Sequence, residues 1–156
     1  MKKVLFVCLG NICRSPMAEA ILENMVKAEN LSDKISCDSA GTANYHVGNE
    51  PDYRTVKTLA IRGISTAHLG KQFRGDFSRF DQIFAMDKSN FYNIVALAKS
   101  PADKAKVKMM REFDDVPTDD QVPDPYYGSI QDFENVYEML ERCCRNYLTS
   151  LKSENL

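Results

Sequence analysis

Apolar positions follow two spacings along the chain. Four short runs, Val4–Cys8, Ile35–Ser39, Phe80–Met86 and Val107–Met110, are too brief for helices and read as strands buried in a sheet. Between them the spacing becomes helical. Met17, Ala20, Ile21, Met25 and Ala28 share one face; so do Val56, Leu59 and Ala60; so do Phe91, Ile94, Val95 and Leu97. The longest stripe is Ile130, Phe133, Val136, Tyr137, Leu140, Cys144, Tyr147, Leu148 and Leu151. Boundary residues agree. Ser15-Pro16 places a hydroxyl at an N-cap and a proline at the first helical position. Pro51 opens the second helix and Gly63 closes it. Ser129 with Asp132 three residues on reads as a capping box for the last helix. Ala67–Leu69 suggests a further short extended piece. Two stretches have neither spacing: Gly41–Asp52, and the polar loop Glu112–Ser129.

Strands alternating with helices imply an α/β protein with a parallel sheet. Four strands and about five helices in 156 residues suggest one domain, 1–156, with a three-layer flavodoxin-like fold and a four-stranded parallel sheet flanked by helices. Ligands of such folds sit beyond the carboxyl ends of the strands.

Composition narrows the classes. A net charge of -2 gives no electrostatic reason to expect nucleic acid or an anionic membrane as partner. No apolar run approaches the roughly 20 residues of a membrane span. The opening MKKVLFVCLGN has a basic end and a short apolar run, but no small-residue cleavage site follows, so a strand is the better reading than a signal peptide. The five cysteines are odd in number and two are adjacent, which argues against a disulfide framework and for a reducing, cytoplasmic setting. Cys8 and Cys13 have no second matching pair, so no metal site is expected, and no cofactor is called for. Cys37, Cys143 and Cys144 read as packing.

The chemistry concentrates in VCLGNICRSP, Val7–Pro16, which runs from the first strand into the first helix. Five residues separate Cys8 from Arg14. A loop of that length can curl so that the N–H groups of Leu9, Gly10, Asn11, Ile12, Cys13 and Arg14 point inward, with the positive end of the helix dipole behind them. Gly10 and Asn11 both tolerate left-handed backbone angles. Arg14 can place two N–H donors on two oxygens of a tetrahedral dianion. The loop is not a Walker loop, because the lysine and glycine spacing is absent. The same field favours the thiolate of Cys8, a nucleophile aimed at phosphorus. A leaving group would need a proton. DPYYG, Asp124–Gly128, offers a loop carboxyl held extended before a proline, although Asp114, Asp115, Asp119 and Asp120 lie near and spacing alone does not choose among them.

The chain resembles the low-molecular-weight protein tyrosine phosphatases over nearly its whole length. The motifs that carry the resemblance are VCLGNICRSP, DSAGT, TAHLGKQ, FAMDKSN and DPYYG, in that order. The resemblance implies Cys8 as the nucleophile that becomes phosphorylated, Arg14 as the binder of the phosphoryl oxygens and stabiliser of the transition state, and Asp124 as general acid, then general base. Ser15 would donate a hydrogen bond to the Cys8 sulfur. Asn11 would hold the loop through Ser39 and His68. Ile12, Tyr45, Tyr126 and Tyr127 would line a groove for a phosphotyrosine ring, and Tyr126 and Tyr127 would be candidate phosphorylation sites. Cys13 would form a reversible disulfide with Cys8 under peroxide. Implied partners are a phosphotyrosine-containing protein as substrate and inorganic phosphate as product, with the protein a monomer or at most a weak dimer. Many eukaryotic members carry tryptophan where this chain has Tyr45, followed here by His46.

Rival readings of the same motifs make different demands. An arsenate reductase of this fold needs relay cysteines around Lys71–Asn90, where the chain has none. An arginine-phosphate phosphatase would carry a small hydroxyl residue where Ile12 stands, and would lack the double tyrosine. A non-catalytic phosphotyrosine-binding module would have lost Cys8, Arg14 or Asp124. A flavin carrier would leave the Cys8–Arg14 pair unexplained.

Overall fold

The computed structural model describes residues 1–116 and 119–156. Residues 117 and 118, within the long polar loop, lie outside the described residues. The chain runs β1 (Lys2–Cys8), α1 (Arg14–Ala28), β2 (Ile35–Gly41), α2 (Tyr53–Ala60), β3 (Gln82–Ala85), α3 (Lys88–Val95), α4 (Pro101–Ala105), β4 (Val107–Met109) and α5 (Ile130–Ser153), with 3-10 turns at Phe77–Arg79 and Met110–Phe113. The four strands form one parallel sheet in the order β2-β1-β3-β4. The α/β, four-stranded parallel architecture is therefore the one the spacing of apolar positions implies.

β1 is central, and its alternate side chains feed two cores. Val4, Phe6 and Cys8 join α1 and α5 on one face. Leu5 and Val7 join Phe73, Phe77 and Ile94 on the other. A strand covered on both sides must be apolar at every position, which is why its run is continuous rather than alternating. Phe84 of β3 meets Phe6, Phe113 and Tyr147 at ring-centroid distances of 4.8 to 5.7 Å, which locks α5 onto the sheet.

Several details depart from the sequence expectation, each for a local reason. α1 starts at Arg14 with Cys13 at its N-cap, not at Ser15. The Ser15 hydroxyl is spent elsewhere, and Pro16 still fits because first-turn N–H groups have no intrahelical acceptor. α2 buries Thr55, Thr58 and Leu59, whereas Val56 and Ala60 face out. Its Asp52 N-cap sets the rotation by accepting from the Arg54 N–H. Ala67–Leu69 forms no strand; the neighbouring extended contact is a single bridge between Gly41 and Gln72. α4, capped by Ser100 with proline in its first turn, has no buried residue, so no apolar stripe announced it. Ile130 and Leu97 are exposed, and Cys37 is only half-buried. Cys143 and Cys144 are both enclosed, the first packed toward the Arg111–Asp114–Arg142 ion cluster rather than out on a flank. Burial pushes the Cys143 thiol up to about 12 and the Cys144 thiol well above its ordinary value, so both are inert.

Candidate active site

The carboxyl end of β1 opens into the loop Leu9–Cys13, and neighbouring backbone holds that loop by its carbonyls. The oxygens of Cys8, Leu9 and Ile12 accept from the N–H groups of Thr42 (2.8 Å), Ala43 (3.0 Å) and Asp52 (2.8 Å). The Cys13 carbonyl accepts from the Thr55 hydroxyl at 3.4 Å. With its carbonyls drawn outward, the loop turns its amides to the concave side, where the start of α1 adds its dipole. Asn11 takes the left-handed conformation (φ 58°) that makes the curl. Gly10 does not. It is small for a different reason: a Cβ there would lie 3.0 Å from the His46 ring. Gly41 is small because a Cβ would come 2.6 Å from the Leu9 carbonyl.

A network of side chains supports the loop from behind. Asn11 donates through its amide nitrogen to the hydroxyls of Ser15 (2.8 Å) and Ser39 (3.0 Å). Its carbonyl accepts from the Lys71 N–H (3.0 Å) and the His68 Nε2–H (2.6 Å). His68 Nδ1 faces Glu19 at 3.2 Å. The Ser15 hydroxyl lies 2.9 Å from the Cys8 sulfur, with the Ala40 carbonyl a second acceptor for its proton at 3.4 Å. Ser15 and Ser39 are completely buried, so these bonds have no water to compete with them.

Arg14 extends under the same pocket with its side chain almost wholly enclosed. Nη1 donates to Asp87 at 2.7 Å and to the Val122 carbonyl at 3.0 Å, and Nη2 lies 3.6 Å from Asp124. Burial works against the guanidinium charge, but Cys8, the Asp87 hydrogen bond and Asp124 outweigh it, so its pKa stays above the ordinary value. Cys13 is the opposite case. Desolvation, then the charges of Asp52, Cys8 and Asp124, push its thiol far up, so Cys13 keeps its proton. One pocket of about 290 Å³ is lined by Cys8, Leu9, Gly10, Ile12, Cys13, Arg14, Tyr45, His46, Asp124, Tyr126 and Tyr127.

Comparison with known proteins agrees with this geometry. The family model for low molecular weight phosphotyrosine protein phosphatases matches residues 3–156. The chain belongs to this family. The low molecular weight phosphotyrosine protein phosphatase of Rattus norvegicus is 45% identical over 150 residues, covering 94% of each chain. A protein tyrosine phosphatase structure from Entamoeba histolytica superposes with a TM-score of 0.93 at 39% identity, covering 100% of both chains. A drosophila arginine phosphatase superposes with a TM-score of 0.91 at 38% identity, covering 99% of this chain and 100% of that one.

Within this phosphatase family member the loop residues from Cys8 to Ser15, their supports Ser39 and His68, Asp124 and the groove tyrosines lie together around one pocket; Asp114 does not, being bound to Arg111 and Arg142. Ile12 forms part of the floor, and Tyr45, His46, Tyr126 and Tyr127 form the walls. The Tyr126 and Tyr127 rings meet edge to face at 4.9 Å, and Tyr126 lies 6.5 Å from the His46 ring. Tyr127 is 94% and Tyr45 70% exposed, so both rings have faces free for a partner. Asp124 is tethered by its own loop, its Oδ1 accepting from the Tyr126 N–H at 3.1 Å. Three contributors escaped the sequence reading. Asp87 orients Arg14, Glu19 buttresses His68, and Arg54 grips the loop after Asp124. The position of Asp87 at the exit of β3, the strand beside β1, was the available signal. Glu19 and Arg54 left none.

Proposed function

We propose that the protein hydrolyses phosphotyrosine in protein substrates, and aryl phosphate monoesters generally, through a cysteinyl-phosphate, with residues 1–156 acting as one catalytic unit. The observation that carries this reading is the convergence of Cys8, Arg14 and Asp124 on a single pocket walled by tyrosines. The Cys8 thiolate attacks phosphorus while the bond to the phenolic oxygen breaks, and Asp124 gives that oxygen its proton. The loop amides and the Arg14 fork take the charge on the equatorial oxygens. Asp124, now a carboxylate, removes a proton from water, which attacks phosphorus and expels the thiolate. The Ser15 hydroxyl, 2.9 Å from the sulfur, eases that departure. Inorganic phosphate leaves. Among the described residues no helix is long and apolar enough to cross a membrane; the odd number of cysteines, two of them adjacent, supports action in the reducing cytoplasm.

Turnover of p-nitrophenyl phosphate in excess chelator tests the reading. We expect undiminished activity; a requirement for added metal would overturn it. The drosophila arginine phosphatase, so close in structure, supplies a second reading: hydrolysis of phosphoarginine. The apolar Ile12 floor and the tyrosine walls favour a flat ring over a guanidino group. A kcat/KM for phosphoarginine above that for phosphotyrosine would reverse this order.

Cys13 is the candidate redox partner of Cys8. Peroxide would oxidise the Cys8 thiolate to a sulfenic acid, and the Cys13 sulfur would then displace water to leave a disulfide, which an added thiol reduces. Enzyme inactivated by peroxide should recover fully with thiol. Cys13→Ser should recover markedly less, because its sulfenic acid goes on to irreversible oxidation; equal recovery would remove Cys13 from this role.

A further inference from the structure

A second hollow, of about 740 Å³, opens beside the phosphate pocket, and Leu9 and Tyr45 line both. Its floor and rim are Phe73, Ala96 and Leu97 with the uncharged Thr42, Gln72 and Asn93. Arg74 is the single charged residue among those lining it. Arg74 is exposed, and among the described residues it forms no ion pair; its neighbour Asp76 is occupied by Arg79 at 3.0 Å. The other flank of the phosphate pocket is opposite in sign. A third hollow shares Asp124 with the phosphate pocket and nothing with the Arg74 hollow; it carries Asp87, Asp119 and Asp124 against one cation, Arg111, which is itself paired with Asp114 at 3.0 Å. The mouth of the site is thus polarised, acidic on one side and basic on the other.

We propose that the Arg74 hollow is a subsite for the residues flanking phosphotyrosine, and that Arg74 selects an acidic side chain there. The proposal rests on the phosphotyrosine reading above. A peptide with its phosphotyrosine in the pocket runs on in extended form at about 3.3 Å per residue. Over Leu9 and Tyr45 it enters the hollow, where apolar side-chain stems cover Phe73 and Leu97 and a carboxylate meets Arg74. On the other flank the same carboxylate would face Asp119, so charge also sets the direction in which the peptide lies.

Two phosphotyrosine peptides, identical except for glutamates or lysines beside the phosphotyrosine, test this. At low salt the protein should prefer the acidic peptide about fivefold in kcat/KM, and the preference should shrink in about 0.5 M salt. Arg74→Glu should reverse the order while leaving p-nitrophenyl phosphate, which does not reach the hollow, unchanged. Equal rates for both peptides, or a preference untouched in Arg74→Glu, would overturn the subsite. Failure of the wild-type protein to turn over p-nitrophenyl phosphate would instead overturn the phosphatase reading.

An independent set of contacts assigns Arg54 as a positioning residue for Asp124. Asp52 donates its N–H to the Ile12 carbonyl of the phosphate loop at 2.8 Å and grips Arg54 with both oxygens, at 2.9 and 3.0 Å. Arg54 in turn donates to the carbonyls of Tyr126 (2.9 Å) and Gly128 (3.2 Å), with its guanidinium 4.4 Å from the Phe133 ring centre. Tyr126 is the residue whose N–H holds the Asp124 carboxyl. The Asp52–Arg54 pair is therefore a strut between the loop that binds phosphate and the loop that supplies the proton.

The readout is the dependence of rate on the leaving group. In Arg54→Ala, p-nitrophenyl phosphate should lose less than about threefold, because its phenolate leaves without help, whereas phenyl phosphate should lose about tenfold or more. Inhibition by inorganic phosphate should be unchanged. Arg54→Lys, which keeps charge and stem but cannot bridge two carbonyls and a carboxylate, should show the same pattern. An equal loss for every ester, with weakened phosphate inhibition, would mean that Arg54 only supports the fold.

Discussion

Cys8→Ser should abolish turnover, with a loss greater than about 10⁴-fold in kcat, and should still bind inorganic phosphate. The oxygen of serine would stand almost where the sulfur stands, at the end of β1 and under the same amides. What changes is the ability to give up the proton. A thiol gives up its proton far more readily than an aliphatic hydroxyl, and among the described residues no histidine is hydrogen-bonded to residue 8 to act as base. The side chain within hydrogen-bond reach is Ser15, itself a neutral hydroxyl that accepts from Asn11 and is no base. Binding survives because it belongs to other groups: the loop amides, the α1 dipole and Arg14, held by Asp87 and Val122. Steady-state kinetics of the variant with p-nitrophenyl phosphate, and phosphate titration by calorimetry, separate the two functions. Retained turnover would remove Cys8 as nucleophile.

The parts of this site that could be read from the sequence are the local ones. Cys8 and Arg14 lie within one loop, and the junction of an apolar run with a helix start says that the loop ends a strand. A left-handed Asn11 follows from the need to curl. Ser15 misled for an instructive reason: hydroxyls at helix starts usually cap, but a cap bonds to N–H groups of its own helix, and this one is drawn away by Asn11 and Cys8. The constraint on Gly10 is spatial rather than conformational, set by His46, thirty-six positions on. Long-range pairings had no local sign. Asp87 reaches Arg14 because Val7 of β1 is in register with Ala85 of β3, which puts the exits of the two strands side by side. Knowing the strand order would have located it. Arg54 and Glu19 depend on the packing of whole elements, and neither interrupts any periodic pattern.

Asp124→Asn should lower kcat for phenyl phosphate by about 10² to 10⁴-fold while leaving phosphate binding intact or tighter. Asparagine is close in shape and keeps an oxygen to accept from the Tyr126 N–H, so the loop should hold its position. It cannot donate a proton of useful acidity, and the penalty falls on the departing oxygen. The loss should therefore grow with the basicity of the leaving group, being smallest for p-nitrophenyl phosphate. The binding change has its own cause. Asp124 lies 3.6 Å from Arg14 Nη2 and lines the pocket the dianion enters, so its charge competes with phosphate for the arginine and repels it. Removing that charge removes both effects. An unchanged rate would move the acid to another carboxylate. Asp87, which also meets Arg14, is poorly placed for the task, because one oxygen is bonded to Arg14 and the other accepts the Asn90 N–H at the start of α3. Both Asp87 oxygens are thus taken by short hydrogen bonds, whereas Asp124 Oδ2 has only the longer 3.6 Å approach of Arg14 and lines the pocket the substrate enters.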